Sequence, residues 1–208
     1  MSALFSREDI LKELFNVGVG KAASTLSEII DKKINLDVPD VRIMNMVRGK
    51  QELDVFLRQV TEGAAMVSSI SFNRQLEGTV SLIFPAEKMH QFIDLCLNEE
   101  YSENNSLEFS DVDFDTIKEI GNIILNAIIG ELSNTVHIPV EYTLPEVSVL
   151  QSARADLLVS DASYHLVLMM YITFNIEGTM IDGAIVINMT LRSLDEILEN
   201  IDKIYGGE

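Results

Sequence analysis

Wound at about 100° per residue, positions 7 to about 31 separate into two faces. Leu11, Leu14, Phe15, Gly18, Ala22, Thr25, Leu26 and Ile29 fall on one side, and Asp9, Glu13, Asn16, Gly20, Ser24 and Ser27 on the other. This predicts a long amphipathic helix with a polar, small-residue stripe, opened by Ser6 as N-cap with Asp9 three positions on in a variant of the capping box. Lys32 to Met46 alternates around Pro39 and reads as extended chain. Residues 64–72 and 77–84 read as a strand pair. Pro85 starts a second helix, Ala86 to Asn98, and residues 99–112 read as an acidic connector.

The cycle then restarts. Asp113 to about Val136 predicts a second long helix, buried through Ile117, Ile120, Ile124, Ile128 and Leu132. Its polar stripe carries Asp115, Glu119, Asn122, Asn126, Gly130 and Ser133, while Glu131 falls on the buried side. Val140 to Leu150 is extended around Pro145. Strands at about 164–175 and 181–189 and a closing helix, Leu191 to Ile204, complete the chain.

The register makes this a duplication. Asp9, Glu13, Asn16, Leu26, Ser27, Pro39 and Val41 each recur 106 positions later, as Asp115, Glu119, Asn122, Leu132, Ser133, Pro145 and Val147. The offset slips to 105 where Gly78 and Gly183 open matching strands. A period of that length is a fused pair of halves, not a solenoid. The expected fold class is α+β: one domain, residues 1–208, built from two repeats at about 6–98 and 112–205. The halves are expected to be related by a pseudo-two-fold, with a shared mixed sheet and the two long helices packed on one face.

Composition narrows the function classes. A formal charge of −18 with no basic stripe argues against nucleic acid and against an anionic membrane surface. No apolar run approaches the roughly eighteen residues of a membrane span, and the N-terminus lacks signal-peptide features, so a cytoplasmic location is the default expectation. Cys96 is the sole cysteine, and His90, His137 and His165 are scattered without ligand spacing, so no metal site is expected.

Positions i, i+4 and i+7 lie within about 60° on a helix, so Asp9, Glu13 and Asn16 project from one stripe, as do Asp115, Glu119 and Asn122. Asp9 and Asp115 also suit the helix N-terminal dipole. Asn is a poor mid-helix residue, yet it stands twice in one register. Gly18 and Gly20 in one helix suggest close helix packing or close approach of a partner. Glu with Asn, lacking a nucleophile or phosphate-cradling loop, makes no self-contained active site. A carboxamide can hold a water in line with a phosphoryl group when the substrate brings electrophile and metal.

The pattern Asp/Ser-x3-Glu-x2-Asn-x22-Pro, present twice, resembles that of the CheC-type phosphatases of bacterial and archaeal chemotaxis, related to CheX and FliY. Asn16-Val-Gly-Val-Gly-Lys-Ala-Ala-Ser resembles the first-site version, and Glu119-Ile-Gly-Asn122-Ile the second. The resemblance implies dephosphorylation of a phospho-aspartyl, CheY-like receiver. Asn16 and Asn122 would position the attacking water, and Glu13 and Glu119 would pair with the receiver's lysine. Asp9, Asp115, Pro39 and Pro145 would support them. Mg²⁺ would belong to the receiver, with no cofactor on this chain. It further implies a CheC-like monomer, and a deamidase, CheD, as a candidate partner. The alternatives are a non-catalytic adaptor binding a receiver or a CheD-like protein through the same stripes, and a structural component of the flagellar switch.

Overall fold

A computed structural model describes residues 6–97, 107–158 and 166–205. Residues 99–106 of the expected connector, Asn98 and His165 lie outside them. The elements run α1 (Arg7–Ile30), β1 (Ile34–Asp37), β2 (Val41–Asn45), α2 (Met46–Val60), β3 (Ala65–Arg74), β4 (Gly78–Pro85), a 3₁₀ turn (Ala86–Lys88) and α3 (Met89–Leu97). The same order follows in the second half: α4 (Asp111–Val136), β5 (Val140–Tyr142), β6 (Glu146–Leu150), α5 (Ala155–Leu158), β7 (Leu166–Ile176), β8 (Thr179–Met189) and α6 (Leu191–Tyr205).

The strands form one eight-stranded sheet in the order β1-β7-β8-β4-β3-β5, with β2 also on β7 and β6 also on β3. Each half's short strands therefore lie end to end along the other half's long strand, interrupted at the proline segments. All of these pairings are antiparallel, which corrects the expected mixed sheet. The physical reason is connectivity. β3–β4 and β7–β8 are hairpins, and the two hairpins meet through β4 and β8 in opposite directions, so no strand acquires a parallel neighbour.

Alternation along the strands sorts the core. Met66, Ile70, Phe72, Leu82, Phe84, Met170, Ile172 and Phe174 face a cluster shared with α1, α3, α4 and α6. Val67, Ile83, Val167, Met169 and Val186 face the opposite side, against Leu53, Phe56, Leu57 and Val60 of α2. The two long helices do share one face. The second layer, formed by α2, is not among the elements expected from the sequence, although Leu53, Phe56, Leu57 and Val60 keep helical spacing.

Where α1 meets α4, a β-carbon on Gly18 would stand 3.1 Å from the Ala127 carbonyl oxygen and 3.2 Å from the Ile128 α-carbon. Gly20 has nothing within 4 Å and is exposed. Lys21 pairs with Glu131 across the same junction, so Glu131 is neither on the polar stripe nor fully buried. Thr25 and Ile29, expected inside, are exposed, and Val19 and Ala23 are buried in their place, because the helix turns its buried face partly toward α4. Gly18→Val forces the backbones apart and lowers stability by about 1–3 kcal/mol. Gly20→Ala raises it by about 0.5–1 kcal/mol through helix propensity alone. Denaturant unfolding of the two variants checks both signs.

Candidate functional site

Ser6 caps α1. Its hydroxyl accepts from the Asp9 amide at 3.1 Å, and the Asp9 carboxylate accepts from the Ser6 amide at 3.1 Å and the Ser6 hydroxyl at 2.7 Å. These bonds, the hydroxyl's first, hold the Asp9 carboxyl below its usual range. Asp9 is thus a structural cap. The equivalent box on α4 uses Ser110 and Asp113, so that helix begins two residues before the expected Asp113. Asp115, one half-turn further on, is exposed and takes no part in the cap.

Glu13 is exposed and Asn16 half-buried on the same stripe. Asn16 Nδ2 donates to the Lys12 carbonyl and to the Val38 carbonyl, each at 3.0 Å, and Asn16 Oδ1 accepts from the Val38 amide at 2.9 Å. Val38 precedes Pro39, and a residue before proline is held in extended conformation. Its N–H and C=O are therefore presented together to a carboxamide. This clamp gives the Asn-x22-Pro interval a structural cause, and the Val38 side chain is wholly buried beside it. Pro39 itself is exposed.

The second stripe has the same residues in a different state. Glu119 is exposed and Asn122 half-buried. Asn122 Oδ1 accepts from Asn126 Nδ2 at 2.8 Å, and among the described residues the Asn122 Nδ2 has no acceptor. Leu144, 106 positions after Val38, is 81% exposed, while Pro145 is buried. Gly121 seats α4 on the sheet, since a β-carbon there would fall 2.2 Å from the Ser68 hydroxyl of β3. Asn122 therefore follows directly on a residue packed tightly against the sheet.

Ser27 and Ser133, read as part of the exposed stripes, are structural instead. The Ser27 hydroxyl accepts from the Ile34 amide at 3.0 Å, and the Ser133 hydroxyl donates to the Ile138 carbonyl at 2.6 Å. Each ties the end of its helix to the chain that follows. The sequence reading also missed Val38 and the Asn126–Asn122 bond. The first was marked by the proline interval and the second by the i, i+4 spacing of two asparagines.

A groove of about 660 Å³ opens beside the first stripe, lined by Asp9, Ile10, Lys12, Glu13, Leu14, Val17, Glu131, Thr135 and Tyr205. The start of α1 therefore lies along the end of α4, and the two helices run in opposite directions. Glu13 and Asn16 stand toward one end of the pair, Glu119 and Asn122 toward the other. Among the described residues no group of three or more His, Cys, Asp or Glu is placed to hold a metal ion. No helix among them is long and apolar enough to cross a membrane. Burial pushes the Cys96 thiol up to about 12, which leaves it unreactive.

Residues 7–43 match the CheC-like family, a segment that holds Asp9, Glu13, Asn16 and Pro39. Over 145 residues the chain is 25% identical to the CheY-P phosphatase CheC of Bacillus subtilis, covering 68% of this chain and 65% of that protein, slightly under two thirds of its length. Similarity to the CheC-like family is thus carried by the segment that holds the first stripe, and extends more weakly along the chain. Solved structures share its fold. FliY of Thermotoga maritima superposes with a TM-score of 0.72 at 20% identity, covering 96% of this chain and 98% of that one. CheX of Vibrio vulnificus does so with a TM-score of 0.55 at 14% identity, covering 85% and 99%. The middle domain of FliM from H. pylori shares the fold too, with a TM-score of 0.59 at 18% identity, covering 94% and 99%.

Removing the Asn16 side chain leaves the buried N–H and C=O of Val38 without partners, whereas removing that of Asn122 breaks one side-chain bond. Asn16→Ala is expected to cost about 1–3 kcal/mol of stability and Asn122→Ala less than about 1 kcal/mol. Chemical denaturation of both variants measures the difference, and the reverse order would contradict the clamp.

Proposed function

We propose that the chain is a cytoplasmic phosphatase, acting as a monomer, that releases phosphate from the phospho-aspartyl form of a CheY-like response regulator. The observation that carries this reading is the CheC-like segment at 7–43, whose Glu13 and Asn16 lie on an accessible helix stripe. The B. subtilis relative, a CheY-P phosphatase, supplies the substrate class.

On this reading the regulator brings the electrophile and the Mg²⁺, and the chain contributes positioning. Exposed Glu13 and Glu119 pair with the regulator's lysine and fix the register of docking. The asparagine holds a water in line with the phosphorus, a role that a neutral amide fills by accepting from the water and donating to an oxygen near it. The water's oxygen bonds to phosphorus as the aspartyl P–O bond breaks. The regulator's carboxylate is the leaving group and inorganic phosphate the product.

The two asparagines are unequally prepared for this. Asn16 has both Nδ2 hydrogens committed to backbone carbonyls and retains one acceptor position on Oδ1. Asn122 has an uncommitted Nδ2 among the described residues and a second acceptor position on Oδ1. The second site therefore carries the larger share of turnover. Its partner is better suited to docking, which is where the adaptor reading keeps specific support.

Phosphate release from a phosphorylated receiver tests the proposal. The wild-type chain is expected to exceed the receiver's own rate by at least about tenfold. Asn122→Ala should remove most of that excess, Asn16→Ala less than half, and the double variant nearly all of it, in keeping with the roughly 100-fold effect of a lost positioning amide. A wild-type rate equal to the receiver's own rate overturns the enzyme reading. A larger loss from Asn16→Ala overturns the assignment between sites.

A further inference from the structure

An asparagine side chain on a helix does not orient its own amide, because the terminal torsion is broad and roughly two-fold. A water-positioning amide needs that torsion fixed before the substrate arrives. At the first stripe the Val38 backbone fixes it from both ends of the carboxamide. At the second, no such bond joins Asn122 to Leu144, and Leu144 stands 81% exposed. What Asn122 has instead is Asn126, one helical turn on, whose Nδ2 donates to Asn122 Oδ1 at 2.8 Å.

We propose that Asn126 is a positioning residue that sets the orientation of the Asn122 amide, an inference that rests on the phosphatase reading above. The first half has no counterpart. Gly20 occupies the equivalent position, exposed and with nothing within 4 Å of where a β-carbon would stand. One half thus holds its asparagine through a loop backbone, and the other through a second asparagine.

Two further features favour this role over that of a solvated helix residue. Asn126 is half-buried, and its own Oδ1 is buried without a hydrogen-bond partner. A buried orphaned acceptor is a cost that stability alone would not maintain, since Ala at that position would remove it and favour the helix more strongly. The donation also has a chemical consequence. With Oδ1 turned toward Asn126, the Asn122 Nδ2 is left to face the docked phosphoryl group or its water.

The test uses the full chain carrying Asn16→Ala, so that the second site acts alone on a phosphorylated receiver. Adding Asn126→Ala is expected to lower kcat roughly tenfold, because a misoriented positioning group loses the in-line geometry. KM and the affinity for a receiver activated with beryllium trifluoride should stay within about twofold, and the thermal midpoint should not fall. Asn126→Asp keeps the size but replaces the donor by an acceptor, so it should be as slow as the alanine. In a chain carrying Asn16→Ala and Asn122→Ala, adding Asn126→Ala should change nothing, as expected of a residue that acts only through Asn122.

An unchanged kcat, a loss confined to KM, or losses that multiply with Asn122→Ala would overturn the positioning role while leaving the phosphatase reading intact. If the Asn16→Ala parent releases phosphate no faster than the receiver alone while the wild-type chain does, the second site is inactive and the role falls. If the wild-type chain is also inactive, the phosphatase reading falls and takes the role with it.

Discussion

The backbone of α1 rests against that of α4 at Gly18, where a β-carbon would press on the Ala127 carbonyl and the Ile128 α-carbon. This contact decides which parts of the two helices meet water. Each helix has already given its apolar stripe to the sheet through residues such as Phe15 and Ile124. The crossing takes a second strip of each, and what remains outward is the polar line. Because the helices run in opposite directions, the crossing also separates Glu13 and Asn16 from Glu119 and Asn122. The Lys21–Glu131 pair spans the same junction, but Lys21 is largely exposed and such pairs contribute little. Close packing, not charge, sets the geometry.

Within that frame, repetition of sequence has not given repetition of state. Asn16 is bound to the backbone of the segment it faces, and its stability role competes with any role in chemistry. Asn122 is bonded to the Asn126 side chain instead, and among the described residues its Nδ2 has no acceptor. Val38 is buried where Leu144 is exposed, and Pro39 is exposed where Pro145 is buried. The backbone clamp is thus present at the first stripe, while the second has the Asn126 bond in its place.

Much of this was legible in the residues themselves. The two long helices followed from apolar periodicity, the first cap from Ser6 and Asp9, and the paired extended segments from alternation on either side of Pro39 and Pro145. The element order does repeat along the chain. The strand directions were not legible, because side-chain alternation is the same in parallel and antiparallel neighbours and only the pairing fixes the sheet. The layer formed by α2 was missed despite the spacing of Leu53, Phe56, Leu57 and Val60, since polar residues dominate the rest of that helix. Ser27 and Ser133 looked like stripe residues because helical angle places a side chain on a face without saying what the following chain does there. The motif register likewise equated Asp9 with Asp115, although the cap on α4 is built two residues earlier than that equivalence requires.

The central claim is that the opposed helices offer two separate docking stripes, each completed by a receiver that brings its own electrophile. Titration calorimetry of the chain with a receiver held in its activated form by beryllium trifluoride tests this most directly. The account predicts two receivers bound per chain, with Glu13→Lys abolishing one and Glu119→Lys the other. Binding that persists unchanged when both charges are reversed, or a single receiver per chain regardless of which is reversed, would contradict it.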